Sequence, residues 1–411
     1  MTNRRDFFKQ ASMLTAGGVM GGSVLSSCKE SNPGGSVSTV SPPASYPRIN
    51  YGIYDSHVHA SGGAGLQAFL DAGRKLIDEN VQVSAINLLV RTGNSPRSVS
   101  AALMALALKT IDPRFTAYGG FAYWMSDDGP GLRAQLEEMM DVGYDGLKMI
   151  EGKPTSRRVD PALALDHPRY NLAGEWLQET GWHILNHVND PEEFWFPDQV
   201  PSWSSSSSSG GYWETTQFLP KEQHYQEHER WVERYPNMNI MMAHAYFLSN
   251  FPDRLTALFE RFPNISIDLC PGIEMYEGFT KYRDQWLTFF PKYQDRIVFG
   301  TDNRLSHLEQ NVGHDGSYYD RIAYMRRFLE TDDKFEAWGY NLHGFALPAG
   351  VIDKIYSGNY LRMRGPIRPV VPAKALKYAN KLYDLVKDNP DVSDITKQEC
   401  REVIAFFEQR L

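Results

Sequence analysis

The stretch that decides the fold is residues 54–59, Tyr-Asp-Ser-His-Val-His, which follows a short apolar segment and precedes the glycine-rich run 61–65. Side chains two apart on a strand share a face, so His57 and His59 are expected to project together from the strand's C-terminal end. Two imidazoles placed in this way can bind a divalent metal. A pair of half-buried strand histidines is the alternative, and His-x-His alone does not separate the two interpretations.

Strand-like and helix-like segments alternate along the rest of the chain, which indicates a closed parallel (β/α)8 TIM barrel, an α/β fold. Strand patterns occur at 81–90, 115–121, 144–150, 182–188, 239–243, 265–269 and 296–300. Helical patterns occur at 66–79, 98–111, 131–142, 168–180, 221–235, 251–262 and 280–293. A doubly wound open sheet is the alternative, but the glycines after His59 do not match its phosphate-binding pattern. The segments 373–387 and 397–411 predict amphipathic helices packed on the outside.

Polar residues close several of these apolar strands, at the end where such barrels carry their chemistry. His187 ends the fifth strand, His244 follows the sixth, and Asp302 follows the eighth. A buried polar group without a partner is costly, so packing alone does not readily explain this pattern. A barrel would bring these side chains together with His57 and His59.

These motifs resemble the amidohydrolase superfamily, in its amidohydrolase-related branch of decarboxylases and ring-opening hydrolases. The resemblance covers about 55–363 and rests on the motifs at 55–59, 187–190, 243–245 and 299–302, with 355–360 similar to the family's terminal helix. It implies one divalent metal, with zinc the expected ion, and a second metal as an alternative. The implied ligands are His57, His59, His187 and Asp302.

The same resemblance implies hydrolysis of an ester, lactone or amide bond by metal-activated water. Asp302 would accept the water's proton, and His244 would contact the activated water or stabilise the developing oxyanion. A non-oxidative, metal-dependent decarboxylase of the same branch is the alternative. A binding lipoprotein without turnover is a third interpretation, but the chain retains every expected ligand type.

Lys148 ends the fourth strand, where binuclear members of the family carry a carbamylated lysine. It predicts either a second metal or an ion pair inside the barrel mouth. Glu151 is expected in the following loop, facing a second metal or the substrate. Arg91, after the second strand, is a candidate clamp for a substrate carboxylate, and a surface ion pair is its alternative. His307, beyond the eighth strand, is a further candidate for substrate contact.

Several other residues have structural interpretations. Asp55 either orients an imidazole or caps its strand end. Cys270 is predicted to be a buried structural thiol. His224 and His228, one helical turn apart, are predicted on a solvated helix face. The aromatic residues after the fifth strand could form a lid over the site, although the serine run 204–209 favours disorder; they are Trp195, Phe196, Trp203, Tyr212 and Trp213.

The N-terminal residues predict export. Residues 3–9 resemble a twin-arginine motif, 11–24 form a short apolar run, and Leu-Ser-Ser-Cys at 25–28 resembles a lipobox. We therefore expect a signal peptide at 1–27, lipidation of Cys28, a flexible tether at 28–49, the barrel at 50–365 and the C-terminal helices at 366–411. The predicted product is a lipoprotein anchored in the periplasm or at the cell surface.

Composition limits the partners. The 411 residues carry a net charge of -8, which argues against broad nucleic-acid binding. With Cys28 lipidated, 2 of the 3 cysteines remain, too few for a disulfide framework. The expected partner is a small-molecule substrate. Membrane contact is expected only through the N-terminal lipid, and a homo-oligomer is left open.

Overall fold

The computed structural model describes residues 52–78, 83–91, 93, 95–201, 204, 211–271, 274–305 and 317–411. The predicted signal peptide, Cys28 and the tether lie outside these residues, as do Trp203 and His307. No helix in the described ranges combines the length and the apolar character needed to cross a membrane.

Parallel strands form a closed barrel. They are β1 Ile53–His59, β2 Val83–Leu89, β3 Phe115–Gly119, β4 Gly146–Gly152, β5 His183–Val188, β6 Ile240–Met242, β7 Ile265–Asp268, β8 Ile297–Val298 and β9 Asn303–Arg304. From β1 to β8, each strand pairs with its sequence neighbours. β8 pairs with β7, while β9, a few residues further on, pairs with β1 at Val58↔Asn303 and His59↔Arg304. The segment 297–304 thereby joins both edges of the sheet, and the predicted (β/α)8 barrel is confirmed.

Helices surround this barrel. They are α1 Leu66–Asp78, α2 Val99–Ile111, α3 Gly129–Val142, α4 Pro154–Val159, α5 Asn171–Thr180, α6 Lys221–Arg234, α7 Pro252–Arg261, α8 Met275–Lys281, α9 Arg283–Lys292, α10 Tyr318–Glu330, α11 Ala349–Asp353, α12 Asn359–Arg364, α13 Pro372–Val386 and α14 Asp394–Glu408. The helix predicted at 280–293 is present as α9 over most of its length, but its first residues belong to α8. α8 and α9 meet at Tyr282, whose φ of -110° and ψ of 34° leave the helical range.

Shorter elements connect these helices and strands. A two-stranded antiparallel ribbon pairs β10 Lys334–Ala337 with β11 Tyr340–His343. A π-helical turn at Lys354–Gly358 joins α11 to α12. Turns of 3₁₀ helix occur at Pro96–Ser98, Pro161–Leu163, Pro168–Tyr170, Glu192–Trp195 and Gln294–Arg296. The turn at Ala243–Phe247 has a left-handed backbone from His244 onward.

The alternation of side chains along each strand places the candidate site at the barrel mouth. On β5, Ile184 and Val188 belong to the core between strands and helices, whereas Leu185 packs inside the barrel with Met241. His187 is two residues beyond Leu185, so it shares the inward face at the C-terminal end of the strand. The same period of two directs the other strand-end residues to this mouth.

The C-terminal helices pack on the outside of the barrel and fasten the loop that follows β1. Helix α14 packs against α2, and α13 packs against α3. Glu399 on α14 is fully buried, and its Oε1 accepts hydrogen bonds from the backbone N–H of Gly63, Ala64 and Gly65 at 2.5–3.1 Å. Glu402 accepts from Leu66 N at 2.7 Å. A helix pair beyond the barrel thus orders the loop beside His59.

Candidate metal centre and active site

Three of the predicted metal ligands converge at the barrel mouth. His57 and His59 lie near the end of β1, and Asp302 lies between β8 and β9. Asp302 Oδ1 is 3.3 Å from His57 Nε2 and 2.9 Å from His59 Nε2. The three donor atoms lie within 4.8 Å of one another. Two imidazole nitrogens and a carboxylate oxygen at this spacing suit a divalent transition metal.

Charge and protonation also fit a cation at this position. Burial lowers the pKa of His59 well below its usual value, so the ring is neutral, as a ligand must be. Burial alone would raise the pKa of the Asp302 carboxyl, but His57 and His59 lower it well below its usual range. Asp302 is therefore ionised. Its backbone is in the left-handed region, with φ of 54°, a conformation that is uncommon outside glycine and recurs at functional sites.

Asp268, at the end of β7, orients the His57 ring. Its Oδ2 is 2.8 Å from His57 Nδ1, and both side chains are fully buried. Because a carboxylate accepts a hydrogen bond, Nδ1 carries a proton, and Nε2 is the ring nitrogen that faces Asp302. The sequence analysis missed Asp268. The signal for it was the same as for Asp302, a carboxylate that closes an apolar strand.

His244 approaches Asp302 from the other side, with its Nε2 3.9 Å from Asp302 Oδ2. Its backbone N–H donates to Asp268 Oδ1 at 2.8 Å, and its Nδ1 is 3.1 Å from the Cys270 carbonyl oxygen. A carbonyl can only accept, so Nδ1 holds the proton and Nε2 is unprotonated. Burial lowers the pKa of His244 to about 4, which keeps the ring neutral.

Cys270 lies beneath these rings. Its Sγ donates to Asp268 Oδ1 at 2.7 Å and is 3.2 Å from His57 Nδ1 and 3.3 Å from His244 Nδ1. Burial raises the pKa of the thiol well above its usual value. The thiol therefore stays protonated as part of the network that orients both imidazoles, in agreement with a buried structural role.

Comparison with known proteins identifies the family of this chain. A family model described as Amidohydrolase matches residues 54–363 of this chain. The chain belongs to the amidohydrolase family. That family is metal-dependent, in agreement with the His57, His59 and Asp302 cluster. Comparison with curated protein sequences found no significant match.

The solved structures that match this amidohydrolase are only distantly similar to it. A 5-carboxyvanillate decarboxylase from Sphingomonas paucimobilis is 13% identical, with 76% of this chain and 98% of that chain covered and a TM-score of 0.45. IDCase from Metarhizium anisopliae is 12% identical, with 77% and 97% covered and a TM-score of 0.48. A 4-oxalomesaconate hydratase from Rhodopseudomonas palustris is 14% identical, with 82% and 99% covered and a TM-score of 0.45.

The remaining predicted ligand of the amidohydrolase site, His187, is not brought into the donor cluster. Its Nε2 is 3.0 Å from the carbonyl oxygen of Asn189 and 3.4 Å from Asp190 Oδ1. Its ring packs edge-on against His244, with ring centroids 4.9 Å apart. The His187 ring thus contacts His244, while its Nε2 is directed toward its own loop.

Lys148 and Glu151 both lie in β4. Lys148 is buried with its Nζ 3.5 Å from His57 Nε2, and burial lowers its pKa to about 8. The prediction that Glu151 lies in a loop is wrong, because pairing of Gly152 with Val188 extends β4 past it. The buried Glu151 carboxylate accepts a hydrogen bond from Tyr123 Oη at 2.7 Å.

Two arginines lie near His59, one on β9 and one in the segment that follows β2. Arg304 on β9 is in register with His59, and so is Leu89 on β2. Arg91 follows β2, two residues beyond Leu89, and both arginines are exposed. Desolvation and the charge of Arg304 lower the pKa of Arg91, and the opposite charge of Asp302 offsets part of that shift. Neither guanidinium forms an ion pair with another residue in the described part of the chain.

Asp55 ties β1 to the segment after β8. Its carboxylate accepts hydrogen bonds from Thr301 N at 3.0 Å, Thr301 Oγ1 at 2.7 Å and His57 N at 3.1 Å. These contacts agree with the alternative that Asp55 caps the strand end. The carboxylate holds together the two segments that carry His57 and Asp302.

The prediction that His224 and His228 lie on a solvated face is wrong. They are 1% and 2% exposed, and His228 Nδ1 is 2.7 Å from Tyr246 Oη. Buried residues spaced three or four apart, among them both histidines, form the face of α6 that packs on the barrel, and most of the charged residues lie on the opposite face.

In the predicted lid, Trp195 and Trp213 form a buried cluster with Phe194 and Phe218, whereas Phe196 and Tyr212 are exposed.

Proposed function

We propose that this amidohydrolase uses a divalent metal to cleave an ester, lactone or amide bond with water. The observation that carries the proposal is the sharing of Asp302 Oδ1 between His57 Nε2 and His59 Nε2. These three residues would hold the cation, with zinc the expected ion. When bound, the cation would lower the pKa of a water molecule and polarise the scissile carbonyl.

The residues around this position would handle the proton. Asp302 is ionised, and His244 presents an unprotonated Nε2 3.9 Å from Asp302 Oδ2. Either group can accept a proton from water that attacks between them. An unprotonated Nε2 accepts rather than donates a hydrogen bond, so we assign His244 to proton transfer instead of oxyanion stabilisation.

The substrate would carry a negative charge near the reacting group. Arg91 and Arg304 lie near His59 without an ion pair to the described residues, and guanidinium groups bind carboxylates in a paired geometry. This observation also favours decarboxylation as a second candidate function, because a carboxylate held beside the metal is the group that such a reaction removes.

Metal analysis and one substitution test the enzyme proposal. We expect the purified protein to contain a divalent metal and to lose turnover on chelation. Asp302→Ala should lose bound metal and at least about 100-fold in turnover with an unchanged circular dichroism spectrum. Metal-free wild-type protein that is unaffected by chelators would rule out the proposal, as would full activity of Asp302→Ala.

A substrate panel separates hydrolysis from decarboxylation. Esters, lactones and amides with and without a carboxylate would be assayed beside aromatic acids, with CO₂ release measured for the acids. Hydrolysis of carboxylate-bearing esters or lactones without CO₂ release is the expected result. Arg304→Gln should raise KM for the anionic substrates and leave KM for their neutral counterparts unchanged. CO₂ release as the dominant activity would replace the hydrolase proposal by the second candidate.

Export and lipid anchoring are a separate proposal that rests on residues 1–28, outside the described residues. The expected result is protein in the membrane fraction that moves to the soluble fraction in Cys28→Ala. Soluble wild-type protein with an intact N-terminus would contradict the anchor. The proposed partners are a small-molecule substrate and the membrane lipid, with no nucleic acid, and a homo-oligomer would be detected by its mass in solution.

A further inference from the structure

The turn after β6 has a left-handed backbone without a single glycine. Its consecutive φ values are 57° at His244, 46° at Ala245, 59° at Tyr246 and 51° at Phe247. Side chains crowd the backbone in this conformation, which is why glycine usually occupies it. A run of four such residues persists only if the surrounding structure holds it.

Helix α6 holds the carbonyl side of this turn. Tyr225 is 1% exposed, and its Oη donates to the carbonyl oxygens of Tyr246 at 2.9 Å and Phe247 at 3.3 Å. Lys221 Nζ, one turn earlier on α6, donates to the same Phe247 oxygen at 3.4 Å. Two donors from one helix face therefore bind the carbonyl groups that the left-handed conformation turns toward them.

The same helix holds the side chain of the turn. His228 Nδ1 and Tyr246 Oη are joined by a hydrogen bond of 2.7 Å, and both residues are buried. The Tyr246 ring also packs edge-on against Tyr225, with centroids 4.8 Å apart. Tyr246 is thus fixed at its carbonyl, its ring and its hydroxyl by residues one helical turn apart.

The start of the turn is fastened from the barrel. Asp268 Oδ1 accepts from the His244 N–H at 2.8 Å, and the Cys270 carbonyl oxygen is 3.1 Å from His244 Nδ1. Asp268 and Cys270 of the barrel therefore hold His244 itself, and helix α6 holds the chain from Tyr246, two residues later. A shift at Tyr246 would rotate the backbone that carries the His244 ring.

We propose that Tyr225 and His228 are positioning residues that hold the left-handed turn and so aim His244 Nε2 at Asp302. Both lie on α6, apart from the His57, His59 and Asp302 donor cluster, and act through Tyr246. The catalytic consequence rests on the proposed function of His244. The structural part, that α6 maintains the turn, can be measured without turnover.

A rescue experiment tests the proposal. Tyr225→Phe removes the two bonds to the turn, and we expect it to lower kcat about 10-fold with KM and metal content unchanged. Adding Ala245→Gly should restore most of kcat, because glycine adopts the left-handed conformation without strain. Ala245→Gly alone should raise Tm. The matched control is Tyr235→Phe, since Tyr235 Oη donates to Asn171 O on α5 and not to the turn.

A second readout is independent of activity. The His244 Nδ1–H proton, hydrogen-bonded to the Cys270 carbonyl, should give a protected NMR signal in protein labelled with ¹⁵N-histidine. We expect that signal to exchange faster in Tyr225→Phe and to recover in the double variant. Tyr246→Phe, which removes only the bond to His228, is the milder variant if Tyr225→Phe does not fold, and a faster-exchanging signal is expected there too.

The outcomes separate the two proposals. Unchanged kcat and an unchanged His244 signal in both Tyr225→Phe and Tyr246→Phe would overturn the positioning role. So would a loss that Ala245→Gly does not rescue. Wild-type protein without metal or turnover, whose His244 signal still responds to Tyr225→Phe, would refute the proposed function and support the holding of the turn by α6.

Discussion

The loop after β1 and the turn after β6 each follow a strand end with a site histidine, and they reach ordered backbones by opposite means. The loop places Gly63 at φ of 116° and Gly65 at φ of 88°, where glycine meets no steric penalty. The turn places His244 to Phe247 in the left-handed region with side chains present. The loop is held by Glu399, and the turn is held by Tyr225 and Lys221.

The difference shows that the backbone groups a segment presents, N–H or C=O, determine whether an acceptor or a donor side chain can hold it. Consecutive N–H groups in the glycine loop form a site for an anion, and the Glu399 carboxylate occupies it. The left-handed turn presents carbonyl oxygens instead, and the donors Tyr225 Oη and Lys221 Nζ bind them. In the loop, glycine adopts the positive φ values without strain. In the turn, the hydrogen bonds from Tyr225 and Lys221 must offset the strain of the left-handed backbone.

The largest effect is expected when the loop loses its acceptor. Glu399→Ala leaves three backbone N–H groups without the carboxylate, and water can replace only part of that loss. We expect the free energy of unfolding to fall by about 3 kcal/mol. Glu402→Ala, which removes one bond to Leu66, should cost about 1 kcal/mol. Urea unfolding measures both, and equal losses would contradict the special role of Glu399.

A second substitution tests the residue that the two histidine-bearing segments share. Asp268 contacts the His57 ring through Oδ2 and the His244 backbone through Oδ1. Asp268→Asn replaces one accepting oxygen by an amide N–H, so one contact is lost. Metal affinity should fall about 10- to 100-fold, measured by competition with a chelator. Asp284→Asn on the exposed surface of α9 is the control, and the same affinity in both variants would disprove this role.

The third prediction concerns the support of the turn under acid. Burial lowers the folded-state pKa of His228 to about 3, below its unfolded value of 6.5. The contribution of the neutral His228 ring to the free energy of unfolding is complete above pH 6.5. It is lost as the pH falls toward 3, because the histidine of the unfolded chain binds a proton at a higher pH than the folded one.

His228→Gln removes that proton linkage. Between pH 7 and pH 5, we expect the wild type to lose about 2 kcal/mol more unfolding free energy than the variant. Urea unfolding at both pH values is the measurement. Parallel losses in the two proteins would show that His228 is not held neutral.

The smallest effect is expected when a glycine of the loop is replaced by alanine, the opposite exchange to Ala245→Gly in the turn. No described atom lies within 4 Å of a Cβ built at Gly63, so Gly63→Ala changes only backbone preference. We expect a loss of about 1 kcal/mol in unfolding free energy, opposite in sign to the gain expected for Ala245→Gly. A neutral Gly63→Ala would indicate that the loop does not need its positive φ.

Local patterns predicted most of the fold. Alternation of period two and helical spacing are properties of neighbouring residues, so β1 to β8 and most helices fall close to their predicted positions. The strand-end rule likewise led to His57, His59 and Asp302, because parallel strands end at a common mouth. The break at Tyr282 was missed, since no glycine or proline marks it.

Contacts between distant residues could not be predicted in this way. Asp268 orients His57 from 211 positions away, and Glu399 binds Gly63 from 336 positions away. The burial of His224 and His228 depends on which face of α6 meets the barrel, and the many charges on that helix obscured the stripe. The direction of His187 Nε2 depends on the loop at 189–190.

Strand ends, helical spacing and residue chemistry are encoded locally, so the chain's order of residues was enough to indicate a barrel with a metal site at its mouth. The left-handed turn carries no such local mark, because Ala245, Tyr246 and Phe247 each prefer other conformations. The contacts that α6 and Asp268 make with this turn arise only from tertiary packing. A strained backbone conformation is maintained by tertiary contacts, and these contacts form only when the whole chain folds.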